Sequence, residues 1–465
     1  MAEAKRRKGS KGKGASSDRA VKVQLAPAVE LLHDYITEAL CQQVFGDVRG
    51  TERQRKWSLF ALARFWLAAV LVAPRSLSQL LELMRGRELV GFLPEVSASA
   101  ESFFQKCKKM PFGFFAELHD RFIHLVEQRA PKTYASEVKH LQKKFTDMFA
   151  IDGSRLDKIA HRLKILWDEK AAVLPGSITA LYDLSRGYTK ELWFDSDAAS
   201  SEFNRAFLGL ERLVEGTLLL GDRLYCSLKI FEFLDEKKCF GVFRRTKAVS
   251  IKPLHKIASL RVKEGLVEDW LVEAGTDGRT RTLRLIRLTR GSSTYEALTN
   301  VLDTERLTAL DVVTLYPLRW QIERMFYDLK VVLNLQRFYA ANPNAVAMQL
   351  YAAAMVHAAF RIAQAEIAGK VGLRPEDLSP QKLYPLFAFV SIKLIESEYL
   401  FDETCKANRG IKLRKPSMRK LPGTIVSLKY IRVQRRSGVR KRREYDPERR
   451  KWKSLKNIDG ASELT

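Results

Sequence analysis

The sequence predicts an α/β fold: a core of strands and helices interrupted by a β-rich insertion, with a helical region before it and a helical, basic region after it. Three observations predict this. From about Phe145 the apolar pattern changes from helical spacing to short strand-like runs. The order that follows is strand, two strands, helix, strand, helix, strand, which is that of an α/β core. With 465 residues, 46% of them hydrophobic, the chain is long enough for several domains and a large buried core.

Residues 1–25 open with MAEAKRRKGSKGKGASS, which is basic but is followed by no apolar stretch, so it reads as a disordered arm rather than a secretion signal. Residues 26–146 show i, i+3, i+4 apolar spacing, as in AVELLHDYITEAL, and read as a helical domain, expected to bind DNA because the chain carries a net charge of +26. The run FALARFWLAAVLVAP (Phe60 to Pro74) contains Arg64 and is too short to span a bilayer, so it reads as a buried helix. SASAESFFQKCKKMP predicts a short helix that starts on Ser97 or Ser99 and stops before Pro111. Its Lys106, Lys108 and Lys109 suit DNA contact or a plain surface equally.

The core is expected over 147–370. FTDMFAIDGS reads as a strand, and SITALYDLSRG with TKELWFD as a hairpin turning at Arg186 and Gly187. A helix (ASSEFNRAFLGLERLVEG), a strand (TLLLGDRLY), a helix (SLKIFEFLDEK) and a strand (CFGVFRRT) follow. Residues 247–300 turn β-rich and basic, as in RTRTLRLIRLTRG, and read as an insertion before the helical block that starts at Leu307. Residues 371–465 form a helical region and a basic tail that includes RRSGVRKRREYDPERRKWK.

The net charge of +26 and pI near 9.8 point to a polyanionic partner, nucleic acid before membrane. The five cysteines (Cys41, Cys107, Cys226, Cys239, Cys405) are scattered, which argues against a zinc module or a disulfide framework and for a reducing, cytoplasmic setting.

Two aspartates stand out. Asp152 and Asp222 each follow an apolar run directly, at the carboxyl end of an expected strand, where α/β sheets collect their ligands. As a pair on neighbouring strands they could hold hard divalent cations through oxygen. Either alone is more ordinarily a turn or helix cap. A third acid, Glu323, lies in YPLRWQIERMFYDLK. At about 100° per residue, Tyr316, Arg319, Glu323 and Lys330 fall within roughly a 60° stripe of one helix. The stripe is either a solvated Arg319–Glu323 salt bridge or the wall of a site.

The spacing Tyr-x2-Arg-x3-Glu-x6-Lys, filled by Tyr316, Arg319, Glu323 and Lys330, resembles the signature of the insertion-sequence-four family of DDE transposases. AIDGS and LLLGDRLY resemble that family's two aspartate strands, and the resemblance covers about Phe149 to Leu335. It implies an RNase H-like fold in which Asp152, Asp222 and Glu323 bind two Mg²⁺ ions, with Mn²⁺ a substitute. It also implies that Tyr316, Arg319 and Lys330, with Trp320 beside them, hold phosphates of the element's end. Arg244 and Arg245 fall where the family often places a basic residue near DNA. Trp270, the tryptophan of the insertion, is the candidate to stack on a flipped base, though a core position suits it as well. The function implied is cut-and-paste transposition. The partners implied are terminal inverted repeats, target DNA and a second copy of the chain, with no membrane and no small-molecule cofactor, in a prokaryotic cytoplasm. An inactive, DNA-binding relic and an RNase H-like nuclease remain the alternatives.

Overall fold

The computed structural model describes residues 20–23, 31–48, 53, 55–89, 93–156, 176–197, 200–263, 265–276, 278–335, 337–340, 342–407, 424–427 and 431–433. Most of the basic arm and the basic tail therefore lie outside the described residues, as does Asp157.

Ala20–Val23 (β1) pairs antiparallel with Thr424–Ser427, so the end of the expected disordered arm is a strand. Its AVKV sequence supplies β-branched residues suited to such pairing. Helices Glu38–Val48, Leu59–Val72, Leu77–Arg85, Ala100–Lys109 and Gly113–Glu127 follow. Three of them start on a serine whose side chain accepts from the backbone three residues on: Ser58, Ser76 and Ser99. Almost every residue of Leu59–Val72 is buried, as its apolar sequence requires.

The main sheet has nine strands: β2 (Met148–Arg155), β3 (Ser177–Asp183), β4 (Tyr188–Asp195), β5 (Leu218–Gly221), β6 (Phe240–Arg244), β7 (Ile251–Val262), β8 (Gly265–Thr276), β9 (Arg279–Arg290) and β10 (Ser293–Thr299). Their order is β4-β3-β2-β5-β6-β10-β9-β8-β7. β2, β3 and β4 are antiparallel neighbours, whereas β5 runs parallel to β2 and β6 parallel to β5. Helices Glu202–Glu211 and Leu228–Glu236 make the connections into β5 and β6. The insertion expected at 247–300 is β7 to β10. It does not stand apart as a separate sheet, because β10 pairs with β6 and continues the core sheet outward.

Within the insertion, Arg284 is fully buried and grips Asp269 with two nitrogens, at 3.2 and 2.5 Å. Its Nη1 also donates to the carbonyls of Val301 and Leu307, at 2.9 and 2.8 Å. This fixes the segment that leads from the sheet into the helices carrying Glu323.

Pro343–Val371 is the central helix, 29 residues long and capped by Asn342. It is long and apolar enough to cross a membrane, and its apolar window is 100% buried inside the protein. Runs of alanine along it leave room for its neighbours to approach closely. One cluster of buried side chains joins the N-terminal helices, one face of the sheet and this helix, from Trp66 through Ile286 to Phe360. A second cluster, including Ile151, Leu219 and Phe231, fills the other face.

Candidate active site

Asp152 and Asp222 come together through strand register. β2 and β5 pair in parallel as Phe149 with Leu219 and Ala150 with Leu220, so two residues on Asp152 stands beside Asp222. Asp222 follows the end of β5, as expected, and its Oδ1 accepts from the backbone of Leu224 at 2.7 Å. Asp152 is not at the end of its strand. β2 continues to Arg155 because Gly153, Ser154 and Arg155 keep their pairing with β3.

Tyr316 to Lys330 is not one regular α-helix either. Tyr316–Arg319 is a tight 3₁₀ turn containing Pro317, Trp320–Tyr327 is α-helical, and Asp328–Val332 is a π-helical turn. Proline supplies no backbone donor and suits the first turn. The widened turn alters the angle at which Lys330 leaves the helix, and such turns recur at functional sites.

Arg319 joins the two halves. Its Nη1 donates to Asp152 Oδ2 at 3.1 Å and its Nη2 to Glu323 Oε1 at 2.8 Å. The guanidinium lies 5.1 Å from the ring of Trp320, which is itself 59% exposed. Lys330 Nζ lies 2.6 Å from Ser154 Oγ on β2. Tyr316 is buried, and its ring sits 5.0 Å from that of Tyr295. Burial raises the Tyr316 hydroxyl to about 12, against the lowering effect of Arg319.

Burial also pushes Asp152 up to about 7; Arg319 acts against this rise, whereas Glu202 and Asp222 add to it. A buried carboxyl beside two further acids favours a cation, and the oxygen donors of Asp152, Asp222 and Glu323 suit a hard divalent ion. The donor set therefore fits the metals the resemblance implies.

Among the described residues, a different group of three acids has oxygens all within 4.8 Å of one another: Glu127, Asp147 and Asp183. Arg186 Nη1 reaches all three of them, at 3.4, 3.3 and 2.7 Å. Lys132 pairs with Asp147 and Lys190 with Glu127. Three bases balance three acids, so this group braces the β3–β4 turn. Asp152, Asp222 and Glu323 are not so gathered, and the Arg319 guanidinium occupies the space between Asp152 and Glu323.

Of the other expected DNA contacts, Arg244 lines a cavity of about 350 Å³ together with Arg290, Tyr295, Tyr316 and Trp320. Arg245 is turned away into an ion pair with Glu296 at 2.6 Å. Trp270 packs against the second core cluster with Lys256 4.7 Å from its ring, and it does not line that cavity. Tyr295 and Glu202 were not picked out by the sequence. Tyr295 sits in a strand where an aromatic is ordinary, and Glu202 in the first turn of a helix, where an acid is ordinary.

Residues 179–358 match the family model of the transposase DDE domain. The match includes Asp222, Glu323 and the whole of Tyr316–Lys330 and begins beyond Asp152. The chain is 29% identical over 173 residues to y4zB of Sinorhizobium fredii, a protein named as a transposase, covering 36% of this chain and 48% of that one. It is 26% identical over 147 residues to a Synechocystis protein named as the transposase for insertion sequence element IS4SA, covering 30% and 40%. The chain thus spans less than half the length of these curated relatives. Among solved structures, that of the piggyBac transposase synaptic complex with hairpin DNA covers 87% of both chains at 11% identity, with a TM-score of 0.40.

Proposed function

We propose that this protein is a cut-and-paste DNA transposase with an RNase H-like catalytic core. The observation that carries the reading is the placement of Asp152 beside Asp222 on parallel strands, with Glu323 tied to Asp152 through Arg319. The strand order β4-β3-β2-β5-β6, with its first three strands antiparallel, supports the RNase H-like part.

In this reading Asp152, Asp222 and Glu323 would hold two divalent cations. When bound, such a pair supplies charge to both the attacking and the leaving oxygen of an in-line displacement. The chain's residues place the DNA. Arg319 and Lys330 grip phosphates of the element's end, with Tyr316 packed beside them. Arg244, Arg290, Tyr295 and Trp320 surround the space an unstacked base would enter, the role that the resemblance implies for Trp270. Water attacks a phosphorus at the end of the inverted repeat, the bond to the 3′ oxygen breaks, and that oxygen leaves as a free 3′-OH. The 3′-OH then attacks the phosphorus joining the opposite strand to flanking DNA, displacing the flanking 3′ oxygen and forming a hairpin. Water then attacks the hairpin phosphorus and releases the 3′-OH again, and that 3′-OH attacks a phosphorus of target DNA, displacing a 3′ oxygen of the target strand. Holding two ends together requires at least a dimer.

The test is Glu323→Ala, assayed on DNA carrying the terminal inverted repeats. Mg²⁺-dependent cleavage is expected to vanish while end binding persists. Cleavage at the wild-type rate would overturn the assignment. An inactive relic is distinguished by a wild-type protein that binds the ends and never cuts them.

A further inference from the structure

A fourth acid stands beside the three that the sequence singles out. Glu202 opens the helix Glu202–Glu211 directly after its Ser201 cap, a position where an acid ordinarily faces solvent and the helix dipole. Here the side chain reaches back onto β2. A Cβ built on Gly153 would lie 2.3 Å from Glu202 Cδ and 2.5 Å from its Oε2. Gly153 is not among the glycines with positive φ, so backbone conformation does not call for glycine there. What glycine supplies is room for a carboxylate next to Asp152.

Tyr225 holds that carboxylate in place. The phenol is 1% exposed and donates its hydroxyl to Glu202 Oε1 at 2.6 Å. Tyr225 also lies three residues past Asp222, so one buried side chain links the second aspartate's turn to Glu202. Among the described residues no base forms an ion pair with Glu202, unlike the braced group at Glu127, Asp147 and Asp183. Arg319 pairs with Asp152 and not with Glu202, and a carboxylate brought up to these aspartates without a base of its own favours a further cation.

We propose that Glu202 is a fourth carboxylate ligand of the divalent-cation site, with Tyr225 orienting it and Gly153 admitting it. This rests on the reading that Asp152 and Asp222 hold such a cation. Tyr225 is then a positioning residue, because it acts through Glu202.

The experiment is Mn²⁺ binding by the full chain without DNA, followed by calorimetry and by electron paramagnetic resonance of free Mn²⁺. Glu202→Gln is expected to weaken Mn²⁺ binding at least about tenfold and to leave the melting temperature in EDTA unchanged or raised. Gly153→Ala, which displaces the carboxylate, is expected to weaken binding similarly. Tyr225→Phe keeps the carboxylate and is expected to cost a few-fold in affinity. Should Glu202→Gln fail to fold, unchanged Mn²⁺ affinity in both Gly153→Ala and Tyr225→Phe would overturn the proposal. Wild-type affinity in Glu202→Gln with loss in Asp222→Asn would overturn the role of Glu202 alone. A wild-type chain that takes up no Mn²⁺ overturns the metal reading together with this proposal.

Discussion

Arg319 donates from Nη1 to Asp152 Oδ2 at 3.1 Å, across 167 positions of sequence. The contact fastens a helix to the centre of the sheet, and with the second bond to Glu323 it places a cation where two carboxylates would otherwise repel. The same charge competes with any metal for those oxygens. Arg319→Ala is therefore expected to lower the stability of the metal-free protein by about 1–3 kcal/mol, the scale of hydrogen bonds to charged groups. Its gain in melting temperature on adding Mn²⁺ should exceed that of the wild type. Equal gains in both would show that the guanidinium and the metal do not share the site.

Asp152 makes stability depend on pH. Its folded value of about 7 lies above the ordinary 3.8, because burial, Glu202 and Asp222 outweigh Arg319. The native state therefore binds the proton more tightly than the unfolded chain does. That contribution is fully present below about pH 3.8 and is lost as pH rises through about 7, with a ceiling of roughly 4 kcal/mol. Asp152→Asn is expected to melt above wild type at pH 8 in EDTA, and the two should converge toward pH 5. A constant difference across that range would remove Asp152 as the group responsible. Metal uptake should release a proton for the same reason, so Mn²⁺ affinity should climb with pH toward 7 and level off above it.

The buried Arg284–Asp269 pair is expected to be structural. Arg284→Met leaves Asp269 buried and unpaired and frees the carbonyls of Val301 and Leu307. The expected loss is about 3–5 kcal/mol in urea unfolding. Arg284→Met with Asp269→Leu should recover part of it. If the double variant is no more stable than the single one, the cost lies in the two carbonyls and not in the carboxylate.

Much of this arrangement was legible in the sequence because local chemistry matched global placement. The apolar runs ending at Asp152 and Asp222, the turn at Gly187 and the Ser99 cap are each visible within ten residues. The joining of insertion and core was not, since nothing in RTRTLRLIRLTRG says that its hairpin partner will pair with CFGVFRRT. Pro317 signals a deviation at the Tyr316 end of the stripe, whereas nothing in its periodicity signals the π turn at Asp328–Val332. Glu202 carried no signal at all, because its position is explained as well by the helix dipole; the missing Cβ of Gly153 and the Tyr225 hydroxyl show where its carboxylate goes.

Arg244 and Arg245 are adjacent in sequence and separate in role, which gives a test within one dipeptide. Arg244 faces the cavity beside Tyr316 and Trp320, whereas Arg245 is committed to Glu296 through its side chain and, through its backbone, to the Glu296 carbonyl. A phosphate contact releases about one counterion, and its loss lowers the salt slope of binding by about one. Arg244→Ala is expected to weaken binding to element ends and to lower that slope, read by fluorescence anisotropy over a series of NaCl concentrations. Arg245→Ala should leave the slope alone and reduce stability instead, by at most about 1 kcal/mol for a partly exposed pair. The reverse outcome, a slope that falls only in the Arg245 variant, would mean that DNA approaches from the Glu296 side of the sheet and that the cavity beside Trp320 is not on its path.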